Sequence, residues 1–300
     1  MNRLIADVDG PMHYLDFGGP SDAPLMILVH GLGASSLSWS DLARRMTDDY
    51  RVVAPDLVGF GHTAPDRRGV TVPDNVAHLA RFIQQVADGP VTLVGNSMGG
   101  MISVLTQDSR PELVDSLALI NPALPGRLSP GALRNVDRRI ALFFAAYNMP
   151  FVAQRFLADR RRRMTPARQV ALLLDTICAD PTRVNPDIVS QLVDEAAERR
   201  AYTWSDDAFL GAVRSIMRVL TVGRKQYLGI LDGLRLPTLL VHGEQDRLVP
   251  IAAARLLVAR NPHIPLVALS DVGHAPQLEV PDQLAKSLHT WHADVRRDAA

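Results

Sequence analysis

The sequence has little cysteine, no excess of charge of either sign and no long apolar run. The single cysteine among 300 residues, Cys178, excludes an internal disulfide framework and a zinc site built from several cysteines. Basic and acidic residues number 32 each, which disfavours a nucleic-acid-binding protein because such proteins normally carry a basic excess. The longest apolar runs, such as Leu25 to Val29, fall far short of the roughly 20 residues that span a bilayer. The N-terminus lacks the pattern of a signal peptide, so we expect a soluble cytoplasmic protein.

Short apolar runs alternate with helical patterns over the first and last parts of the chain. Hydrophobic residues make up 47% of the sequence and charged residues 21%, a composition typical of globular proteins. Wholly apolar strands between helices are typical of a parallel sheet whose two faces are both covered. The predicted strands are Leu25–Val29, Arg51–Ala54, Val91–Val94, Ser116–Ile120, Thr238–Val241 and Leu266–Leu269.

The middle of the chain breaks this alternation. From Pro125 to Asp232 no buried strand is evident, and amphipathic helical patterns dominate. We therefore predict a helical insertion between two strands of the sheet. The predicted organisation is a first core segment over residues 1–124, a helical cap over 125–232 and a second core segment over 233–300.

The segment Gly95-Asn96-Ser97-Met98-Gly99 follows a predicted strand and opens a predicted helix. A G-x-S-x-G sequence in this context is typical of a nucleophile elbow, a sharp turn that exposes the serine hydroxyl. The glycines on either side leave room for the strained turn. The position of Ser97 before a helix also favours developing negative charge. Ser97 is therefore the candidate nucleophile.

Two further residues complete a candidate Ser-Asp-His triad in the order that an α/β-type hydrolase requires. His274 follows the last predicted strand and can act as general base, and Asp246 follows the preceding strand and can orient the imidazole. Asp271 and Glu244 are alternative acids. Backbone N–H groups at two further positions could form the oxyanion hole, namely those of Leu32 and Met98.

These motifs together resemble the α/β-hydrolase superfamily, in its esterase and lipase-like branch, over nearly the full length of the chain. The resemblance implies an eight-stranded, mostly parallel sheet with a helical cap inserted after the sixth strand. The matching segments, in order, are His30-Gly31, the residues from Asp56 to His62, the elbow, Gly243 to Pro250 and Gly273-His274.

Several other residues are candidates for supporting roles. Trp39, Phe143 and Tyr147 could line an apolar substrate pocket, although Phe143 and Tyr147 could equally pack the cap onto the core. His30 and Asp56 are expected to shape the loops around the site. The run Arg160–Arg163 is a solvated helix face or a weak contact with an anionic membrane surface.

A serine at the elbow indicates an acyl-enzyme and hence cleavage of an ester, a thioester or an amide. We therefore expect a carboxylic-ester hydrolase that acts on a small, apolar or lipid-like acyl substrate and needs no metal or organic cofactor. A meta-cleavage-type C–C hydrolase is an alternative, because that group often has an elbow like Asn96-Ser97-Met98-Gly99-Gly100. Such enzymes usually carry tryptophan after the catalytic histidine, where this chain has Ala275. A non-catalytic ligand receptor on the same fold is a further alternative, and the oligomeric state stays open.

Overall fold

A computed structural model describes residues 1–126 and 150–299 of the chain. Its centre is an eight-stranded sheet in the order β1-β2-β4-β3-β5-β6-β7-β8. β2 runs antiparallel to both of its neighbours, and all other paired strands are parallel. The strands are β1 Asn2–Asp7, β2 Pro11–Gly18, β3 Leu25–Val29, β4 Arg51–Pro55, β5 Val91–Asn96, β6 Val114–Ile120, β7 Thr238–Gly243 and β8 Leu266–Leu269.

Alternating side chains of the central strands feed two separate apolar cores, one on each face of the sheet. In β3, Ile27 and Val29 point to one core while Met26 and Leu28 point to the other. This two-sided burial follows from the period of two in a strand and explains why β3, β5 and β7 are buried along their whole length.

Eleven α-helices lie in the described part of the chain. Two of them have start signals that are visible in the sequence. Thr71 and Thr165 accept hydrogen bonds from backbone N–H groups of the first turns that follow, and Pro73 and Pro166 stand within the first two positions of these two helices. The helices are α1 Ser40–Met46, α2 Val72–Val86, α3 Met98–Ser109, α4 Pro150–Arg163, α5 Pro166–Ile177, α6 Pro186–Glu198, α7 Ser205–Leu220, α8 Arg224–Gly233, α9 Ile251–Arg260, α10 Pro276–Glu279 and α11 Pro281–Ala299.

The helices divide between the two faces of the sheet. Residues of α2, α3 and α9 belong to the first core, whereas residues of α1 and α11 belong to the second. The predicted eight-stranded, mostly parallel architecture is confirmed. The sequence patterns predict six of the eight strands. They do not predict β1 and β2, because β1 is exposed at all but one position and lacks a long apolar run.

Helices α4 to α8 all lie between β6 and β7, and the last of them ends at Gly233, one residue beyond the predicted insertion. The described residues of this stretch contain no strand. The arginine run Arg160–Arg163 forms the end of α4, where Arg162 and Arg163 are exposed. The amphipathic pattern over residues 136–147 predicts a further helix, and those residues lie outside the part of the chain that the structure describes. Among the described helices, none combines the length and apolarity needed to cross a bilayer.

Candidate active site

Ser97 occupies the single-residue turn between β5 and α3. Its backbone has φ 54° and ψ −117°, a conformation that residues with a side chain rarely adopt and that costs about 1–3 kcal/mol. The turn is held by hydrogen bonds on both sides: the Ser97 N–H donates to the carbonyl of Ile120 at 3.1 Å, and the Ser97 carbonyl accepts from Ala123 N–H at 3.0 Å. Neighbouring loops therefore maintain the strained conformation.

Close backbone packing around Ser97 explains the glycines of the motif. A Cβ atom on Gly99 would lie 2.1 Å from the carbonyl oxygen of Val29, and one on Gly95 would lie 2.6 Å from the Gly100 nitrogen. The loop after β3 also approaches the turn, since a Cβ atom on Gly31 would lie 3.2 Å from the Cβ of Ser97. These contacts place the loop that carries Leu32 directly beside Ser97.

His274 and Asp246 form a buried hydrogen-bonded pair. His274 Nδ1 lies 2.7 Å from Asp246 Oδ2, and the two residues are 5% and 6% exposed. His274 is on the loop after β8, and Asp246 is on the loop after β7. Of the predicted triad, the structure thus joins the histidine and the acid in the arrangement that orients an imidazole.

The Asp246 carboxylate is held by further hydrogen bonds. Its Oδ1 accepts from the backbone N–H groups of Leu248 and Val249 at 2.8 and 2.9 Å, and its Oδ2 accepts from Asn121 Nδ2 at 2.7 Å. Burial alone would raise the pKa of Asp246. The interaction with His274 and the Asn121 amide nevertheless hold that pKa below its ordinary value. Asp246 therefore stays ionised beside the imidazole.

Asn96, the residue before Ser97, connects the elbow to the histidine loop. Its side-chain Nδ2 donates to the backbone carbonyl of His274 and to that of Ile120, each at 3.0 Å. Because Asn96 is adjacent in sequence to Ser97, this bond fixes the two loops relative to each other. Asn96 and Asn121 are the two site residues whose contacts the sequence analysis did not identify.

The competing acids lie elsewhere. Asp271 is exposed and accepts a hydrogen bond from Gln245, and Glu244 is exposed and pairs with Arg255 at 2.8 Å. Among the described residues, Asp246 is the carboxylate that contacts the His274 ring.

His30 is fully buried at the end of β3 and bonds the backbone on both sides of its ring. Its Nε2 accepts from Leu57 N–H at 3.0 Å, so its Nδ1 carries the proton and donates to the Gly31 carbonyl at 2.8 Å. Burial lowers its pKa and keeps it neutral. The ring therefore braces the loop that precedes Leu32.

The residues predicted for the oxyanion hole and the substrate pocket lie in different parts of the structure. Met98 is buried as the first residue of α3, and Leu32 is half-buried beside the first core. Trp39 is fully buried in the second core, among residues of α1 and α11. Phe143 and Tyr147 lie outside the described residues.

An apolar patch lies beside the loop that carries Leu32. Leu157 of α4 and Phe209 of α7 are partly buried and, with Leu32, pack against a small apolar cluster of the same two helices. The Phe209 ring comes so close to the loop that a Cβ atom on Gly33 would lie 3.1 Å from it. The patch consists of Leu32, Ala153, Leu157, Phe209, Leu210 and Val213.

Comparison with known proteins agrees with this fold. Residues 24–281 match the family model described as the alpha/beta hydrolase fold. The chain is similar to a pimeloyl-[acyl-carrier protein] methyl ester esterase of Xanthomonas campestris, with 26% identity over 90% of this chain and 95% of that protein. It is also similar to the 2-hydroxy-6-oxo-6-(2'-aminophenyl)hexa-2,4-dienoic acid hydrolase of Metapseudomonas resinovorans, with 27% identity over 92% and 87%. Among solved structures, a bacterial membrane phospholipase A superposes with a TM-score of 0.72 at 26% identity, over 98% of this chain and 86% of that one.

Proposed function

The chain belongs to the α/β hydrolase family, and from that premise we propose that it is a serine hydrolase that cleaves carboxylic esters through an acyl-enzyme on Ser97. The observation that carries the proposal is the buried His274–Asp246 pair, tied to the Ser97 turn by the hydrogen bond from Asn96 to the His274 carbonyl. A serine on a strained strand–helix turn beside an oriented imidazole is the arrangement that nucleophilic acyl transfer needs.

In the proposed reaction, His274 Nε2 removes the Ser97 hydroxyl proton as Oγ attacks the ester carbonyl. The Asp246 carboxylate fixes the proton of the neutral ring on Nδ1, which leaves Nε2 free to act as base. It then stabilises the imidazolium that forms. The low pKa of Asp246 supports this role because the carboxylate must remain charged throughout.

The tetrahedral intermediate requires N–H donors for its oxyanion. We assign them to Leu32, whose loop lies beside Ser97, and to Met98 at the start of α3. The positive end of the α3 dipole adds to the same stabilisation. Each such donor typically contributes about 2.7–4 kcal/mol to the transition state. His274 then returns its proton to the leaving alcohol, and a water activated by the same ring hydrolyses the acyl-enzyme.

The apolar patch around Leu32 and Phe209 is the proposed contact for the acyl part of the substrate. It combines the oxyanion loop with α4 and α7, so a chain bound there would extend from the reacting carbonyl under the helices of the insertion. This supports an apolar or lipid-like acyl group, with residues 125–232 acting as a cap. The name of the methyl ester esterase among the relatives supports ester chemistry.

Hydrolysis of p-nitrophenyl esters from acetate to palmitate tests the proposal. Wild-type protein is expected to turn over at least part of the series, and Ser97→Ala is expected to lose at least about a thousandfold of that rate. Ser109→Ala is the matched control, because Ser109 is an exposed serine at the far end of the same helix. Equal turnover by wild type and Ser97→Ala would contradict the assignment of the nucleophile.

Hydrolytic C–C cleavage is the second candidate function. The similarity to a hydroxy-oxo-hexadienoic acid hydrolase favours it, as does the Asn-Ser-Met-Gly-Gly elbow. A folded wild-type protein that cleaves a vinylogous diketone acid but none of the esters would replace the ester proposal with this one.

A further inference from the structure

A second cluster of chemically reactive side chains lies outside the Ser97 site. Asp56 follows β4, His62 follows the glycine-rich turn after it, and Glu195 is on α6. One ligand atom from each of the three lies within 4.8 Å of the other two. His62 Nδ1 is 3.6 Å from Asp56 Oδ2 and 3.8 Å from Glu195 Oε1. These distances are longer than a hydrogen bond, so neither carboxylate oxygen accepts directly from His62 Nδ1.

Two of the facing atoms are buried and unsatisfied. Neither Glu195 Oε1 nor His62 Nδ1 has a hydrogen-bond partner among the described residues. Glu195 is only 6% exposed, and Asp56 is 2% exposed. A buried polar atom without a partner costs free energy, and two neighbouring buried carboxylates cost more unless a positive charge lies between them. A divalent cation between the three side chains would satisfy both unpaired atoms and balance the carboxylates.

The opposite atom of each side chain is already engaged, and Asp56 Oδ2 also accepts a hydrogen bond from the backbone N–H of His62 at 2.9 Å. Ser35 Oγ donates to Glu195 Oε2 at 2.7 Å, and Ser36 N–H donates to Asp56 Oδ1 at 2.8 Å. His62 Nε2 lies 3.0 Å from Glu198 Oε2. A carboxylate that accepts the outer ring N–H of a histidine is the usual partner of a metal-bound imidazole, because it orients the ring and leaves the inner nitrogen as the ligand.

The donor set also fits a metal in charge and spacing. A metal-bound imidazole is neutral, so with two carboxylates the ligand set carries a formal charge of −2, which a divalent ion balances. Tetrahedral zinc with ligands at its usual bond lengths separates neighbouring ligand atoms by about 3.3–3.5 Å. The two distances from His62 Nδ1 exceed that by about 0.1–0.5 Å, and all three atoms lie within 4.8 Å of one another, so a bound ion would draw the ligands slightly closer together. An imidazole nitrogen favours a transition metal over magnesium or calcium, which prefer oxygen alone.

We propose that one divalent transition-metal ion, most simply zinc, binds to Asp56, His62 and Glu195. This ion would connect α6 to the loops beside the Ser97 site. The ion is structural and is separate from the acyl-transfer chemistry. Its position has a consequence for the site, because Ser35 and Ser36 continue the loop that carries Leu32 and both bond the proposed ligands. Metal binding would therefore brace that loop against the helices of the insertion.

The test is zinc binding by the whole chain after treatment with EDTA and removal of the chelator. Isothermal titration calorimetry with ZnCl₂ at pH 7 is expected to show one equivalent of zinc bound per chain. The melting temperature of the protein is expected to rise when zinc is added. Glu195→Gln replaces the unsatisfied carboxylate with an uncharged amide of the same shape. We expect this variant to bind zinc at least about a hundredfold more weakly while folding normally, because it removes a buried negative charge.

Two variants of the same helix separate the ligand role from general effects. Asp194→Asn changes the exposed neighbour of Glu195 and should bind zinc like wild type. Glu198→Gln removes the outer partner of His62 and should weaken binding by about 10–100-fold. The metal-free melting temperature of each variant shows whether it is folded. The proposal is overturned if wild type binds no stoichiometric zinc, if Glu195→Gln binds it as tightly, or if magnesium binds as tightly as zinc.

Discussion

Replacing Asn121 with alanine removes the amide that reaches the Asp246 carboxylate from the end of β6. The hydrogen bond is 2.7 Å long and lies between two buried residues, one of them charged. The loss of such a bond typically costs about 1.5–3 kcal/mol. Asn121 also has φ 44°, a left-handed conformation that asparagine tolerates and alanine disfavours by about 1–2 kcal/mol. We therefore expect Asn121→Ala to lose about 2.5–5 kcal/mol of the free energy of unfolding.

The glycine variant separates these two contributions. Asn121→Gly lacks the amide but accommodates the left-handed backbone, so it should lose less stability than Asn121→Ala. Urea denaturation at pH 7 measures both losses, and ester turnover measured in parallel should fall in both variants because the carboxylate that orients His274 is less firmly held. Losses below about 0.5 kcal/mol in both variants would refute the assignment of this bond.

The stability loss should also depend on pH. The amide helps to hold the pKa of Asp246 below its ordinary value. A carboxylate with a depressed folded-state pKa contributes stability that is present above the unfolded value of about 3.9 and disappears as the pH falls through the folded value. Removing the amide therefore costs more at pH 7 than at pH 3.5. An equal loss at both pH values would show that the bond does not favour the charged carboxylate.

Three further outcomes follow from burial and close packing. Gly99→Ala should be strongly destabilised, by about 3 kcal/mol or more, because its Cβ would meet the Val29 carbonyl, whereas the open position of Gly89 should accept alanine almost without loss in the same urea titration. Cys178 should resist a thiol reagent at pH 8 until the protein unfolds, since burial raises its pKa to about 12 and only the thiolate reacts. Trp39→Phe should lower the melting temperature while leaving the KM for esters unchanged, because the indole is buried in the second core; a raised KM at wild-type stability would instead place it in the pocket.

The sequence predicted the parallel part of the sheet because its strands are continuous apolar runs. The apolar run predicts β3 to the residue, since both faces of the strand are buried and the run is bounded by Pro24 and His30. β1 and β2 lie at the edge of the sheet, where β1 is mostly exposed, so neither gives a continuous apolar run. Their pairing with β4 depends on contacts across the sheet that local patterns do not record.

The candidate triad was predictable for the same local reason, because each of its members stands just after a strand with a recognisable glycine nearby. The role of Asn121 was not predictable in this way, although Asn121 also follows a strand. As a candidate acid it fails for lack of charge, and only the structure reveals that its amide bonds the acid on the next strand instead. Asn96 was likewise visible as part of the elbow, but its bond to the His274 carbonyl spans 178 positions of the chain.

These two asparagines explain how the site can be rigid although its residues come from separate loops. The loops after β5, β6, β7 and β8 meet at one edge of the sheet, where neighbouring parallel strands end side by side. The Asn96 amide bonds the Ile120 carbonyl next to it and the His274 carbonyl farther along the edge, and the Asn121 amide bonds Asp246 and the Gly273 carbonyl. These side-chain bonds add to backbone bonds between the same loops, such as those of Ser97 with Ile120 and Ala123. The proposed metal cluster would extend this linkage to α6. The insertion also reaches this edge directly, because the His274 N–H donates to the Ile177 carbonyl at the end of α5 at 2.6 Å. We therefore expect changes next to Ile177 to disturb the geometry of His274, whereas changes around Leu157 and Phe209 should alter substrate preference instead.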